Sequence, residues 1–414
     1  MVKHNGVISI VKCCFWGLLL YIFSGSQSLI SLPAVITDIL LVAVILISSI
    51  LDGWRLRLKN DQFFQFSIRH FILPAVLILI YSTIIQLVRG LSFDYLQNTI
   101  TTEVRYLAYY LLGIVAVRVF GKRTVEYLLA MAVTAYLPAF IQHFGQYGPV
   151  GGITIMLNPE IFHIQTPLEI HTLTYIFGFM ALYYSYRWLV EKDRSVKWLV
   201  FFSIFLTAIG TKRIVLAAMV ASILMMFILN RINPRQRYDL MRLGSVILIG
   251  SAIVFVYLVH SGVLEQMTAM FGVESSSRFV IWNLLQKKYD MSPLFLGYGI
   301  SYGARIMHYV WQQAGLAHAV ALHNDILRVY LGLGFVGALL YWYNYFYATM
   351  RKARKVSSIH AATFVFTMAT YFFINSMTSN EGVNPMTNGM YFMILYTVVC
   401  FDSRNGGEQP TEQR

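Results

Sequence analysis

Apolar runs of about 20 residues recur along almost the whole chain, and this recurrence limits the folds open to it. Of the 414 residues, 57% are hydrophobic and 12% are charged, whereas charged residues make up about 25% of a soluble globular domain. Inside lipid, backbone amides and carbonyls must be hydrogen-bonded within the protein, and an α-helix satisfies them locally. The sequence therefore predicts an all-α polytopic membrane protein.

Twelve apolar segments are predicted to be transmembrane helices. They are residues 8–25, 29–51, 71–88, 103–120, 124–145, 169–190, 196–211, 213–230, 242–260, 325–349, 360–378 and 386–401. Little more than the turn GTKR (210–213) separates the seventh and eighth segments, which predicts a tight helical hairpin. We take residues 1–402 as a single transmembrane domain, and the polar composition of residues 403–414 predicts a disordered cytoplasmic tail.

The distribution of Lys and Arg predicts how these spans are oriented. The formal net charge is +13, which in a soluble protein would suggest a nucleic-acid partner. With a cytoplasmic N-terminus, 22 of the 32 Lys and Arg residues lie on the cytoplasmic side, 7 lie outside and 3 lie within spans. Because cytoplasmic loops are enriched in Lys and Arg, both termini are predicted to be cytoplasmic. The net charge then requires no nucleic acid.

The longest loop, residues 261–324, joins the ninth and tenth spans and is predicted to lie outside the membrane. Its stretch SSSRFVIWNLL (275–285) begins with cap-forming serines, and Phe279, Trp282 and Leu285 fall on one helical face. The stretch MSPLFLGYGISYG (291–303) is rich in Pro, Gly and aromatic residues, which indicates a turn structure near the membrane. The loop is therefore predicted to be large and partly helical.

Cations on the outward side are exceptions to the charge bias. Lys212 and Arg213 lie in the hairpin turn, and Arg278 opens the amphipathic stretch of the large loop. Arg105 and Arg328 lie just inside the outer ends of the fourth and tenth spans. Each could extend to lipid headgroups or stay solvated, but guanidinium groups also bind phosphate in a bidentate manner. Both interpretations stay open from the residues alone.

The tenth span begins with the polar residues His323, Asn324 and Asp325. A neutral imidazole at an aqueous face can accept a proton near neutral pH. Asp325 could orient that imidazole, act as the base itself, or cap the helix. The GLGFVG stretch (332–337) follows no strand and lies inside a span, so it predicts close helix packing rather than a nucleotide loop.

Metal and thiol chemistry are not indicated by the sequence. No DxD pair and no cluster of carboxylates and histidines occurs in the outward segments, and neither a GxSxG nor a P-loop pattern is present. Cys13, Cys14 and Cys400 all lie in apolar segments, so they are predicted to be small buried residues rather than a disulfide framework or a thiolate metal site.

Three stretches of the chain resemble the O-antigen polymerase and O-antigen ligase superfamily. They are AIGTKRIVLAAMVASILMMFIL (208–229), SSRFVIWNLLQKKYDMSPLFLGYGISYG (276–303) and HNDILRVYLGLGFVGALLY (323–341). The shared order is a basic hairpin, an Arg followed four residues later by Trp or Tyr, a turn of the P-L-x-G-x-G kind, and H-N before a G-x-x-G helix. The turn departs from the family pattern by one extra residue, since it reads P-L-F-L-G-Y-G here. The hairpin has Lys-Arg where a single Arg after Ser is common in the family. We align Arg213, and Lys212 stays open as the alternative.

The resemblance implies a GT-C-like fold and a substrate of glycan linked to undecaprenyl diphosphate in the bacterial cytoplasmic (inner) membrane. It implies that Arg213 and Arg278 hold the diphosphate and that His323 is needed for activity. The predicted substrate-binding residues are Lys212, Asn324, Asp325, Arg328, Arg105, Trp282 and Arg305. No metal or cofactor is expected, and the other expected partners are membrane lipids and a chain-length regulator protein.

The expected activity is that of a polymerase that joins lipid-linked repeat units by metal-independent, inverting glycosyl transfer. Guanidinium groups would stabilise the negative charge on the leaving diphosphate, and His323 would accept the proton of the attacking hydroxyl. Within the superfamily, an O-antigen ligase or a protein O-oligosaccharyltransferase is the alternative. A flippase or transporter of lipid-linked oligosaccharide is the alternative of another class, although we find no internal repeat of the kind common in transporters.

Overall fold

The computed structural model describes residues 12–22, 34–51, 62–158, 166–270, 278–313, 322–379 and 384–402. These residues form helices and connecting turns, and no strand occurs among them. The prediction of an all-α fold is confirmed. The predicted tail (403–414) and the cap-forming serines (275–277) lie outside the described residues, as do residues 8–11, 23–25 and 29–33 of the first two predicted spans.

Helices overlap every predicted span. The first six are α1 Lys12–Ile22, α2 Ala34–Leu51, α3 Gln62–Ser67, α4 Leu73–Val88, α5 Phe93–Phe120 and α6 Thr124–Leu157. The next six are α7 His171–Leu189, α8 Lys197–Ile209, α9 Arg213–Arg231, α10 Pro234–His260, α11 Val263–Met270 and α12 Arg278–Gln286. The last five are α13 Tyr302–Gln313, α14 Asp325–Tyr343, α15 Thr349–Val356, α16 Ile359–Ser376 and α17 Pro385–Phe401.

Five helical segments of the described residues are long and apolar enough to cross a membrane. They are Gln62–Val88, Phe93–Leu157, Arg213–Arg231, Pro234–His260 and Asp325–Val356. Two of them include a π-helical turn, Ile68–Ile72 between α3 and α4 and Asn344–Ala348 between α14 and α15. The chain is thus compatible with a membrane protein, and the count of twelve spans stays a prediction.

Several helices run past the predicted span ends. In α5 and α10 polar residues continue the helix beyond the apolar run, whereas in α6 the extension follows a break at Gly148, whose φ is 70°. α5 begins at Phe93 rather than 103, α6 ends at Leu157 rather than 145, and α10 begins at Pro234 rather than 242. At the start of α10 the Asn233 side chain accepts a hydrogen bond from the Gln236 amide, and Pro234 occupies the first turn. Both are favourable features of a helix N-terminus.

The interior of the protein is built around α7, α16 and α17, in which nearly every residue is buried. α17 packs against α5 and α7, and α16 packs against α9. α7 also packs against both α8 and α9. The buried position of α7 therefore fixes the place of the α8–α9 hairpin. The cysteine prediction is wrong for Cys13 and Cys14, which are exposed on the surface of α1.

Helix α14 is broken at Gly334, whose φ of 70° lies in the left-handed region. The segment 295–300 pairs with this break. The amides of Tyr298 and Gly299 donate to the carbonyls of Leu331 and Gly332 at 2.9 and 2.8 Å, and the amide of Phe335 donates to the Phe295 carbonyl at 2.9 Å. The GLGFVG stretch therefore packs closely against a loop segment, and the prediction of a helix as its partner is wrong.

The loop between α10 and α14 contains α11, α12 and α13, so the prediction of a partly helical loop is confirmed. Its stretch 291–303 is a series of turns that docks on the break in α14. This docking ties the large loop to the interior helices. It also places α14, which begins just after His323, beside α13.

Candidate functional site

The hairpin between α8 and α9 lies beside the start of α7. The Lys212 Nζ atom is 2.5 Å from Glu169 Oε1, and His171 Nε2 is 3.5 Å from the same oxygen. Thr211, in the turn, has a φ of 56°, a conformation that non-glycine residues adopt rarely and mostly in tight turns. The predicted tight hairpin is confirmed, and it carries Lys212 to a carboxylate and an imidazole from another segment.

Helix α12 places Arg278 next to the start of α14. The predicted apolar face of α12 is confirmed, because Phe279, Trp282 and Leu285 are all buried. The indole Nε1 of Trp282 donates a 2.9 Å hydrogen bond to the carbonyl of Leu322, the residue before His323. Arg278 lies one turn before Trp282 on the same side of the helix. This hydrogen bond therefore anchors the Arg278 side of α12 against His323.

His323 is held in a backbone conformation that is unfavourable for most residues, with a φ of 49°. Its chain neighbours on both sides are fixed, since the Leu322 carbonyl is bound by Trp282 and the Asn324 side chain caps α14. The Asn324 Oδ1 atom accepts from the Leu327 amide at 2.9 Å. Strained backbone that is held by its surroundings occurs often at functional sites, and here it orients the imidazole.

Three cationic or basic groups act on the His323 imidazole. Burial lowers its pKa most, and the charges of Arg278, His171 and Lys212 lower it further, to about 4. Burial also lowers the pKa of the Arg278 guanidinium, which still remains a cation at neutral pH. The site thus combines an imidazole that is neutral at pH 7 with the Arg278 guanidinium and with Lys212, whose charge is partly offset by Glu169.

The structure gathers only some of the predicted site residues around His323. Lys212 and Arg278 act on the imidazole, whereas Arg213 is an exposed residue that begins α9. Lys212, the alternative that the sequence left open, is therefore one hairpin cation that acts on His323.

Two of the other predicted arginines, Arg105 and Arg305, bind carboxylates elsewhere. The Arg105 guanidinium contacts Asp38 of α2 at 2.9 Å, and Arg305 contacts Asp94 of α5 at 2.8 Å. Arg328, on the first half of α14, lies within electrostatic range of the buried Glu103.

Two members of the cluster, Glu169 and His171, were missed by the sequence analysis. Both lie at the predicted start of the sixth span, and the sequence offered one signal for them: two ionisable residues at the outer end of an otherwise apolar segment. Such residues in a membrane protein are costly to bury and often functional. Their relation to Lys212 depends on the packing of α7 against α8 and α9, which local sequence does not encode.

The arrangement is suited to binding an anion. A guanidinium and an ammonium, with a second imidazole nearby, concentrate positive charge around a neutral proton acceptor. Arg groups bind phosphate and carboxylate oxygens strongly. No family model matches this chain, and neither a curated protein nor a solved structure matches it. The resemblance of its motifs to a superfamily therefore rests on the residues themselves.

Proposed function

We propose that the chain is a membrane glycosyltransferase that joins undecaprenyl-diphosphate-linked repeat units into O-antigen, capsule or exopolysaccharide. The observation that carries the proposal is the convergence of Arg278 and Lys212 on the neutral imidazole of His323. A reaction of this kind needs a cationic site for the leaving diphosphate and a base for the acceptor. The same cluster contains both.

In the proposed reaction, a hydroxyl of the acceptor glycan attacks the anomeric carbon of the donor sugar. The bond from that carbon to the diphosphate oxygen breaks, and undecaprenyl diphosphate leaves with the electron pair. Arg278 and Lys212 balance its charge, and the His323 imidazole takes the proton of the hydroxyl. A single displacement inverts the anomeric configuration. Bound diphosphate offsets the cations around His323, so donor binding raises the pKa of the imidazole and makes it a better base.

The proposal includes a GT-C-like bundle of about twelve spans with both termini in the cytoplasm. In that orientation the cluster faces the outer side of the bacterial cytoplasmic membrane. Exposed apolar side chains cover much of α9 and α10, among them Val220, Leu224, Val246 and Ile247. These surfaces are suited to lipid, and the polyprenyl tail would reach the site from the side. A ligase or protein O-oligosaccharyltransferase would use the same site with a different acceptor.

A lipid-oligosaccharide transporter is the second candidate, and the broken helix α14 favours it. Discontinuous helices whose ends point at the substrate are common in transporters. Purified protein in detergent distinguishes the two, because an enzyme extends glycan without a membrane, whereas a transporter does not. We prefer the enzyme, because a neutral base among cations serves bond formation and has no required role in translocation.

The test in cells compares Arg278→Ala, Arg278→Lys and His323→Ala with the wild type in a deletion strain. We expect Arg278→Ala and His323→Ala to lower polymer formation at least about a hundredfold, since a positioned base or charge contributes about that much. Single repeat units would then replace long chains on the acceptor. Arg278→Lys should keep part of the activity, because it keeps the charge but loses the bidentate geometry.

The control variant is Lys288→Gln, which removes an exposed cation from the same loop, and immunoblots of membranes check that each variant is present. Long chains on the carrier lipid instead of single units would identify a ligase. Normal polymer length in Arg278→Ala or His323→Ala would contradict the proposed roles.

A further inference from the structure

A second set of buried polar residues lies on α5, away from the cations that act on His323. Thr99, Glu103 and Tyr106 are spaced three and four residues apart and so share one side of the helix. Thr99 and Glu103 are 0% and 3% exposed. Apolar residues would be expected at buried positions of a membrane helix, so a carboxylate here requires an explanation.

Glu103 faces a cation that it does not contact. Arg328 of α14 lies within electrostatic range of Glu103, Tyr106 and Tyr341. Among the described residues, however, Glu103 has no hydrogen bond and no ion pair within 4.0 Å. The Arg328 Nε atom is buried and has no hydrogen-bond partner in the same part of the chain. The buried carboxyl group of Glu103 and the half-buried guanidinium of Arg328 are therefore close to each other without a direct contact.

Other unsatisfied polar atoms belong to the elements around this space. Gln86 of α4 donates through Nε2 to Thr99 Oγ1 at 2.8 Å, and its Oε1 atom is buried without a partner in the described chain. The Ser301 Oγ atom, in the turn beside α13, is likewise buried and unpartnered there. Gln86 lies against the same turn, because a Cβ atom on Gly299 would be only 2.6 Å from Gln86 Nε2. The turn reaches Arg328 through Gly303, whose Cβ would be 3.2 Å from Arg328 Cγ.

Buried polar atoms without partners are rare in native proteins, and buried charges without partners are costly. A carboxylate only accepts hydrogen bonds and a guanidinium only donates them, whereas a hydroxyl does both. One sugar hydroxyl or a neighbouring pair can therefore bridge Glu103 and Arg328. The amide oxygen of Gln86 and the hydroxyl of Ser301 can satisfy further hydroxyls.

We propose that Glu103, Arg328, Gln86 and Ser301 form a glycan-binding subsite that holds the acceptor saccharide by its hydroxyl groups. This inference rests on the proposed function. Arg328 lies five residues after His323 in the chain, so the first half of α14 connects the subsite to the proposed base. In this proposal the charged diphosphate binds at Arg278 and Lys212, and the uncharged sugar binds at Glu103 and Arg328.

Equilibrium binding to the full-length protein in detergent tests whether the diphosphate and the sugar bind at separate sites. It uses two probes. One probe is the oligosaccharide released by mild acid from the strain's own lipid-linked repeat unit, which carries no phosphate. The other is inorganic pyrophosphate. Glu103→Met should weaken oligosaccharide binding about tenfold, the effect of leaving the buried partner of a lost hydrogen bond unsatisfied, and should leave pyrophosphate binding unchanged. Glu103→Gln keeps an oxygen acceptor and should weaken oligosaccharide binding less. Arg278→Ala should weaken pyrophosphate binding and leave oligosaccharide binding unchanged.

Asp239→Asn is the matched control, because it removes an exposed carboxylate from the far end of α10 and should change neither affinity. If only water lies between Glu103 and Arg328, Glu103→Met will bind the oligosaccharide as tightly as the wild type and will unfold at a higher temperature. That result would refute the subsite. A wild-type protein without saturable oligosaccharide binding also refutes it. Loss of pyrophosphate binding in Arg278→Ala supports the diphosphate site whether or not the glycan subsite is refuted. The results therefore distinguish failure of the subsite from failure of the proposed function.

Discussion

At the residue scale, the chemistry of the site depends on the protonation state of one imidazole. His323 is neutral at pH 7 because burial and the charges of Arg278, His171 and Lys212 lower its pKa to about 4. With this pKa, the imidazole is a weak base at neutral pH. Binding of an anion would make the base stronger, which couples proton acceptance to the presence of the donor.

The pH profile of glycan extension tests this coupling. If His323 is the base, kcat/KM of the wild type should fall only as pH drops toward about 4, because the free enzyme loses activity when the imidazole is protonated. Lys212→Gln removes a positive charge, which makes protonation easier and raises the pKa of His323. The acid limb of the profile should then move to higher pH.

Lys288→Gln, which removes an exposed cation of the outer loop, should leave the acid limb in place. A wild-type limb near the ordinary histidine pKa of about 6.5, or a limb that does not move in Lys212→Gln, would contradict the assignment of His323 as a base controlled by these cations.

Individual residues were predictable from the sequence only where local pattern determines them. Trp282 was expected on the buried face of α12, and it is 3% exposed. Asn324 was expected to bind substrate, but its Oδ1 atom caps α14. Glu103 was not among the predicted site residues, and its relation to Arg328 arises from the packing of helices that are distant in the chain. The spacing of polar residues along α5 was the one sequence signal that Glu103 belongs to a polar set.

At the element scale, the helices were predictable because apolar runs determine them, whereas the break in α14 was not. The break depends on backbone pairing with residues 295–300. It brings Tyr341 within electrostatic range of Asp325, sixteen residues earlier, a separation of about 24 Å in a straight helix. The turn in the large loop and the break in α14 thus form one structural unit that positions both proposed subsites.

Gly334→Ala tests this unit. A Cβ atom at Gly334 would lie 2.1 Å from the Phe295 carbonyl oxygen, and the φ of 70° is unfavourable for alanine. We expect a loss of stability of at least about 2 kcal/mol, from strain and a forced backbone shift, together with loss of activity. Thermal unfolding of the purified protein in detergent measures the first effect.

Gly250→Ala is the control for Gly334→Ala, since no atom lies within 4 Å of a Cβ at that position in α10. Alanine has the higher helix propensity, so this variant should be as stable as the wild type or slightly more stable. Equal unfolding temperatures for Gly334→Ala and the wild type would show that the break does not depend on glycine.

At the scale of the whole molecule, contacts join charged segments that were predicted to lie on the same side of the membrane. Arg354 of α15 lies 3.8 Å over the ring of Tyr238 near the start of α10, and Arg187 near the end of α7 pairs with Glu126 near the start of α6. All four residues belong to ends that were predicted to be cytoplasmic. The α8–α9 hairpin, the start of α7, α12 and the start of α14 meet at the other end.

Thiol labelling tests this orientation in a background with Cys13→Ala, Cys14→Ala and Cys400→Ala. A membrane-impermeant maleimide should label Lys288→Cys in intact spheroplasts, because the proposed orientation places the large loop in the medium. Lys197→Cys, an exposed position at the start of α8, should be labelled only after lysis. Both residues are exposed Lys positions next to helix ends, so differences in reactivity do not explain an unequal result. The reverse pattern would place Arg278 and His323 in the cytoplasm, where glycan is not assembled by the proposed reaction, and would contradict the polymerase together with its orientation.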